Sequence, residues 1–185
     1  MSKYKFHTAL LILLATVLSF QSCSDDDVEN PPNPNEEELI TTVQLQFTDT
    51  LTQEIKVFKF ADPDGDGGEA PTQMDTIILK ANTFYNLQLE FLDESKDPFE
   101  SITEEIEEEA DEHLVCFDVT GNTAVKITDI DKNGLPIGLT STAETAANEE
   151  GSIMVSLKHQ PDVKDGSCAV GETDVEVLFQ LKVVD

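Results

Sequence analysis

The chain has 185 residues, with 38 acidic residues against 11 lysines and no arginine, and its formal net charge at pH 7 is −27. A protein this acidic lacks the basic surface that neutralises phosphate groups, so we exclude nucleic acid and anionic lipid head groups as docking partners. Cations are the natural counterparts of such a surface.

The N-terminal segment 1–22 resembles a bacterial lipoprotein signal peptide. Lys3 and Lys5 precede an apolar run over 9–20, which is too short to span a bilayer as a helix. The resemblance implies cleavage before Cys23 and attachment of lipid to its sulfur, so the protein would contact the membrane through this anchor. An ordinary secretory peptide, which would leave Cys23 as a thiol, is the alternative.

Residues 23–39 form the next segment, which is acidic, contains three prolines and has almost no apolar side chains. Such a segment cannot bury enough surface to offset the entropy lost on ordering, so the sequence predicts an extended tether. The SDDD stretch after Cys23 resembles the signal that sends many Bacteroidota lipoproteins to the outer face of the outer membrane. We therefore expect a protein that faces the cell surface, with a periplasm-facing anchor as the alternative.

Residues 40–185 show apolar side chains at every second position, which is typical of strands with one buried face. Turn residues separate these runs, and one domain of this size can bury a real core. The spacing predicts a single all-β domain, an antiparallel, immunoglobulin-like β-sandwich of about eight strands. The candidate strands are ITTVQLQFT, IKVFKF, DTIILK, YNLQLEF, HLVCFDV, TAVKIT, SIMVSLKH and TDVEVLFQLKVV.

One segment departs from this alternation and predicts a short helix over about 102–110. Ile102 and Ile106 are four residues apart, and Ser101 with Glu104 fits a capping box at the helix start. Acidic residues crowd the first turns, where the helix dipole favours negative charge.

Two cysteines follow the signal segment, Cys116 in a predicted strand and Cys168 in a predicted loop. An oxidising compartment allows one disulfide between them. The sequence leaves the bond undecided, because a strand and a loop need not bring two cysteines within bonding distance.

Two stretches match the opening of a calcium-binding loop. The first is DPDGDGG, in which Asp62, Asp64 and Asp66 alternate before a glycine, with Gln73 at the twelfth position. That twelfth residue and the lack of flanking helices exclude an EF-hand. A turn that connects two strands explains the same residues without calcium.

The second stretch is DIDKNG, residues 129–134. Asp129, Asp131 and Asn133 alternate before Gly134, and the twelfth position is Thr140. These oxygen side chains could also surround calcium, and a connecting turn is again the alternative.

The two histidines that follow the signal segment predict a different metal site. His113 begins one predicted strand and His159 ends another, so an antiparallel pairing would bring both to one end of the sandwich. If the last strand pairs as a hairpin, its acidic start with Glu172 and Asp174 returns to the same end. Two imidazoles with carboxylates suit zinc, copper or a similar divalent ion.

Acidic residues also precede His113 directly, namely Asp111 and Glu112. We include Asp111 among the candidate ligands. The alternative is that each histidine only forms a hydrogen bond with a neighbouring carboxylate.

Several stretches of the chain together resemble a group of short Bacteroidota lipoproteins often labelled type 1 periplasmic binding fold superfamily proteins. They cover nearly the whole domain, and none of them belongs to a known catalytic pattern. The resemblance implies a small extracytoplasmic lipoprotein. The matching stretches are EEELITTV, DPDGDGG, ITEEIEEEADEH, DKNGLPIGL, LKHQP and GETDVEV.

The sequence predicts a binding protein and not an enzyme, because no catalytic motif occurs in it. The first hypothesis is an outer-membrane lipoprotein that binds a divalent metal (calcium, zinc or copper) or a small ligand, as an accessory to an outer-membrane transporter. The second is a structural or adhesive module displayed on a tether, which binds protein or glycan.

Overall fold

The computed structural model describes residues 39–65 and 67–185, which form two β-sheets and one short helix. The predicted signal peptide 1–22, Cys23, the tether up to residue 38, and Asp66 of the first acidic loop lie outside the described residues.

The described residues form eleven strands and one helix. In chain order they are β1 (Thr42–Asp49), β2 (Ile55–Ala61), β3 (Gln73–Met74), β4 (Ile77–Lys80), β5 (Phe84–Asp93), β6 (Glu100–Ser101), α1 (Ile102–Glu108), β7 (His113–Thr120), β8 (Ala124–Ile127), β9 (Thr140–Glu144), β10 (Glu149–His159) and β11 (Glu172–Val184).

The strands divide into a seven-stranded and a four-stranded sheet, which confirms the predicted all-β sandwich. The larger sheet has the order β3-β2-β1-β5-β9-β8, with β6 paired to the end of β5. The smaller sheet has the order β4-β11-β10-β7. All pairings between the named strands are antiparallel except β4 with β11, which run parallel.

The core between the sheets follows directly from the alternation in the sequence. In β5, Tyr85, Leu87, Leu89 and Phe91 are buried, while the residues between them are exposed. Phe47 of β1 packs edge-on against Tyr85, with ring centroids 5.9 Å apart. Burial of side chains of this size stabilises the fold by roughly 1.5–3 kcal/mol each.

The helix α1 ends at Glu108, two residues earlier than predicted, and buries Ile102 and Ile106 in the core. The predicted capping box is wrong, because Ser101 forms no side-chain hydrogen bond with the helix. Thr103 instead bonds to β5, where its hydroxyl accepts a hydrogen bond from the Phe91 N–H at 2.8 Å. Among the described residues, no helix is long and apolar enough to cross a membrane.

Strand β10 lies in the middle of the smaller sheet and ends at the site described below. It pairs with β7 through His159 opposite His113, and with β11 through His159 opposite Glu172. The pairing with β11 is irregular between Leu157 and Lys158, where the register passes over Asp174. A β-bulge of this kind bends a strand locally.

A disulfide joins Cys116 of β7 to Cys168 in the loop 160–171 between β10 and β11. The two Cα atoms are 6.1 Å apart, a normal distance for this bond. The bond attaches the loop 160–171 to the strand that begins with His113.

Candidate metal centre

His113 and His159 lie side by side at one end of the smaller sheet. The two residues are direct partners across β7 and β10, and their rings stack with centroids 4.8 Å apart and planes 9° apart. Each projects to the same side of its strand as the core residues Val115 and Leu157, because side chains alternate along a strand. Both imidazoles therefore lie at the end of the buried core.

His113 is the more buried of the two, with 3% of its surface exposed. Its pKa is lowered from 6.5 to about 4, mainly by burial and to a smaller extent by the nearby His159 and Lys164. Its Nδ1 lies 3.2 Å from the Glu109 carbonyl oxygen, which can only accept a hydrogen bond. The proton is thus on Nδ1, which leaves the lone pair of Nε2 available for a metal ion.

His159 has a buried ring nitrogen that lacks a hydrogen-bond partner. Its Nε2 is one of few such side-chain atoms in the described part of the chain. The Glu112 Oε2 atom lies 3.9 Å away, too far for a hydrogen bond. A buried polar atom without a partner destabilises the fold, so this nitrogen calls for an explanation.

The turn after α1 places two further carboxylates at the histidines. One carboxylate oxygen of Glu109 and one ring nitrogen from each histidine lie within 4.8 Å of one another. Within the turn, the Glu112 N–H donates to the Glu109 carbonyl at 2.8 Å. The turn 109–112 thus carries both glutamates directly before His113, the first residue of β7.

The structure places the three acidic residues that were predicted as ligands with the histidines, Asp111, Glu172 and Asp174, in three different environments. Asp111 forms an ion pair with Lys132 at 2.9 Å, and the hydrogen bond from this lysine lowers the pKa of Asp111. Glu172 is the β11 partner of His159 and is exposed, while Asp174 is the residue passed over at the bulge. Sequence reasoning missed Glu109, because nothing in the sequence distinguishes it from its neighbours in the acid-rich stretch 104–112.

The stacked arrangement of the rings constrains how one ion could bind both histidines. An imidazole binds a metal through a lone pair that lies in the plane of its ring. Two parallel, stacked rings cannot both direct this lone pair at the same ion. A shared ion therefore requires one ring to rotate about its Cβ–Cγ bond.

The loop 160–171 packs against the turn that carries the glutamates. The Gln160 N–H donates to the Glu112 carbonyl at 2.6 Å, and the Lys164 ammonium donates to the Ala110 carbonyl at 2.6 Å. Lys164 also forms an ion pair with Asp131 at 3.0 Å, and both side chains are almost fully buried. The loop thus holds the main chain of this turn at two carbonyls.

In the second calcium-like loop, the protein's own donors occupy the acidic side chains. Asp131 Oδ1 accepts hydrogen bonds from Asn133 and Leu135 N–H groups, and its other oxygen faces Lys164. Asp129 accepts from Gly138 and Thr140 N–H groups. These contacts are those of a connecting turn, and they use oxygens that calcium would need.

In the first calcium-like loop, the structure describes Asp62 and Asp64 but not Asp66. Asp62 is buried and interacts with Asp64 through its side chain. The Glu69 N–H donates to Asp64 Oδ2 at 2.7 Å, and this hydrogen bond lowers the pKa of Asp64. These contacts neither indicate nor exclude a bound cation, and calcium binding by this loop stays a prediction.

A separate feature lies on the outer face of the larger sheet, where polar side chains cover β1 and β5. Gln44 bonds to Glu90 at 2.7 Å, and Gln46 bonds to Gln88 at 3.1 Å. These side chains line a shallow depression of about 180 Å³ beside α1.

Comparison of the chain with protein-family models, curated proteins and solved structures found no match, so the candidate site stands on its own geometry.

Proposed function

We propose that this protein is a lipid-anchored, non-catalytic binding module of the outer membrane that binds a divalent transition-metal ion. The ligands in this proposal are His113, His159, Glu109 and Glu112. In this proposal lipid on Cys23 attaches the protein to the membrane.

The single observation that carries the proposal is the buried nitrogen of His159. Its Nε2 has no hydrogen-bond partner and lies 3.9 Å from Glu112 Oε2. Two atoms that each bind one zinc ion at 2.0–2.2 Å can be up to about 4.3 Å apart. The separation of 3.9 Å is below this limit, which is compatible with one ion bound by both atoms.

The donor set favours zinc or copper over calcium. Two imidazole nitrogens and two carboxylates suit these ions, whereas calcium prefers a shell of six to eight oxygens. The net charge of −27 draws cations toward the surface. In this proposal the module gathers the ion as an accessory to an outer-membrane transporter.

Isothermal titration of zinc and copper into the metal-free mature protein at pH 7.5 tests the proposal. We expect one site per chain, with affinity reduced at least tenfold by Glu112→Gln and abolished by His113→Ala with His159→Ala. Glu108→Gln is the matched control, because Glu108 is an exposed acid at the end of α1, just before the turn that carries Glu109 and Glu112. Unchanged binding after loss of both histidines would refute the proposal.

A second candidate function is that of a display module that binds glycan, and the polar depression beside α1 favours it. Amide and hydroxyl side chains there offer both donors and acceptors to a sugar. Binding to a glycan array that is lost on Gln88→Ala and retained in the double histidine variant would support this function over metal binding.

A further inference from the structure

We propose that Lys164 is a positioning residue of the metal site, which holds the turn 109–112 so that its two glutamates face the histidines. This inference rests on the proposed metal-binding function. It concerns a residue that would contact no ion itself and would act only through the main chain of the turn.

The first step of the argument is the contact between Lys164 and the turn. The ammonium group donates a hydrogen bond to the Ala110 carbonyl at 2.6 Å, and the side chain is 3% exposed. Ala110 lies between Glu109 and Glu112, so this bond fixes the peptide that links the two proposed ligands. A charged donor makes a stronger hydrogen bond than a neutral one.

The second step is that Lys164 is itself held in place. Asp131 lies 3.0 Å from the ammonium group and is fully buried. Two backbone N–H groups, of Asn133 and Leu135, donate to the other oxygen of Asp131 at 2.8 and 2.9 Å. The carboxylate is thus fixed by the loop that follows β8, and it restricts the position of the ammonium.

The third step is that the main chain around Lys164 is also anchored. Gln160 is completely buried, and its side-chain amide donates to the Ser167 and Val170 carbonyls at 2.9 Å each. The disulfide at Cys168 attaches the same loop to β7. The loop 160–171 is therefore held by its own hydrogen bonds and by the disulfide. Because Lys164 belongs to this loop, its hydrogen bond to Ala110 restricts the position of the turn.

If Lys164 affected metal binding through its charge alone, its removal would have the opposite effect on affinity. The inference can therefore be tested. A lysine near a cation site repels the ion, so its removal should strengthen metal binding if charge alone mattered. Lys132 provides the comparison, because it pairs with Asp111 of the same turn but is 72% exposed and contacts a side chain only. Positioning predicts that loss of Lys164 weakens binding, whereas loss of Lys132 does not.

The experiment compares cobalt(II) and zinc binding by the full mature protein and its variants. Lys164→Met alone would leave Asp131 as an unpaired buried charge, so the test variant is Lys164→Met with Asp131→Asn, which removes both charges together. We expect a zinc affinity about 10- to 100-fold lower than that of the wild type, as for other residues that orient ligands. The visible spectrum of bound cobalt should also change, because the glutamates no longer hold one arrangement.

Lys132→Met is the control and should keep the wild-type cobalt spectrum, with equal or tighter zinc binding. Wild-type affinity and spectrum in the double variant would overturn the inference, as would an equal loss in the control. If the double variant does not fold, Cys116→Ser with Cys168→Ser loosens the same loop and should change affinity and spectrum in the same direction. Failure of the wild type to bind any ion would refute the proposed function itself, so the two failures are distinguishable.

Discussion

His113 and His159 face each other across β7 and β10 with ring planes 9° apart, at the buried end of the smaller sheet. His113 is 3% exposed, and its burial disfavours the charged, protonated form of the ring. The folded protein therefore keeps His113 neutral far below the usual pKa of an imidazole.

We expect the metal-free protein to lose stability as the pH falls from 6.5 toward 4. The folded pKa of His113 is about 4 and its ordinary value is 6.5, so the unfolded chain binds more protons throughout this window. The free energy of unfolding is unaffected by this group above pH 6.5 and is lower by about 3 kcal/mol at pH 4. Urea unfolding in the presence of a chelator measures this change.

The control for this pH dependence is His113→Gln, which cannot take up a proton. We expect the slope of unfolding free energy against pH between 6.5 and 4 to flatten in this variant. An unchanged slope would show that other groups cause the loss of stability.

Zinc or copper should raise the melting temperature at pH 7.5, because an ion that binds only the folded state stabilises it by mass action. Since His113 stays neutral down to about pH 4, it should remain available to the ion at pH 5.5, and the rise in melting temperature should shrink as the pH falls through 4. Differential scanning calorimetry measures the shift. A calcium-dependent rise that survives loss of both histidines would instead point to the loop of Asp62 and Asp64.

Removal of the disulfide should destabilise the fold without abolishing it. The bond closes a loop with a sequence separation of 52, which corresponds to about 4 kcal/mol in the chain-entropy account. Urea unfolding of Cys116→Ser with Cys168→Ser should show a lower midpoint than that of the wild type. A midpoint within error of the wild type would mean that the unfolded chain gains little freedom on loss of the bond.

The proposed lipid anchor at Cys23 leads to a prediction for cells. Cys23→Ala should abolish incorporation of labelled fatty acid and release the protein from the membrane fraction, because the sulfur would carry the lipid. Equal labelling in this variant would contradict the assignment, whereas Cys168→Ser should leave labelling unchanged.

Strict alternation was enough to predict most of the sandwich. Strands such as β5 and β11 carry large apolar side chains at every second position, so only one face could be buried. Strand β9 was missed because its sequence, TSTAE, has small side chains and no apolar alternation. Its pairing with β5 is a tertiary effect that the local pattern does not encode.

The candidate site was predictable to a lesser degree. His113 begins one predicted strand and His159 ends another. Their proximity was predictable, because antiparallel pairing places the start of one strand beside the end of its neighbour. Glu109 could not be distinguished within a long acidic run. The Ser101 capping box failed because the chain enters the helix directly from β6, and that short strand pairs with β5.

The position of the last strand has a consequence for how the chain reaches its native state. Strand β11 runs from Glu172 to Val184, yet it lies inside the smaller sheet, between β4 and β10. The core cannot close until β11 has left the ribosome, and such distant pairings form slowly. The polypeptide should therefore remain unfolded and able to thread through a narrow channel until β11 has been synthesised, as an N-terminal export signal would require.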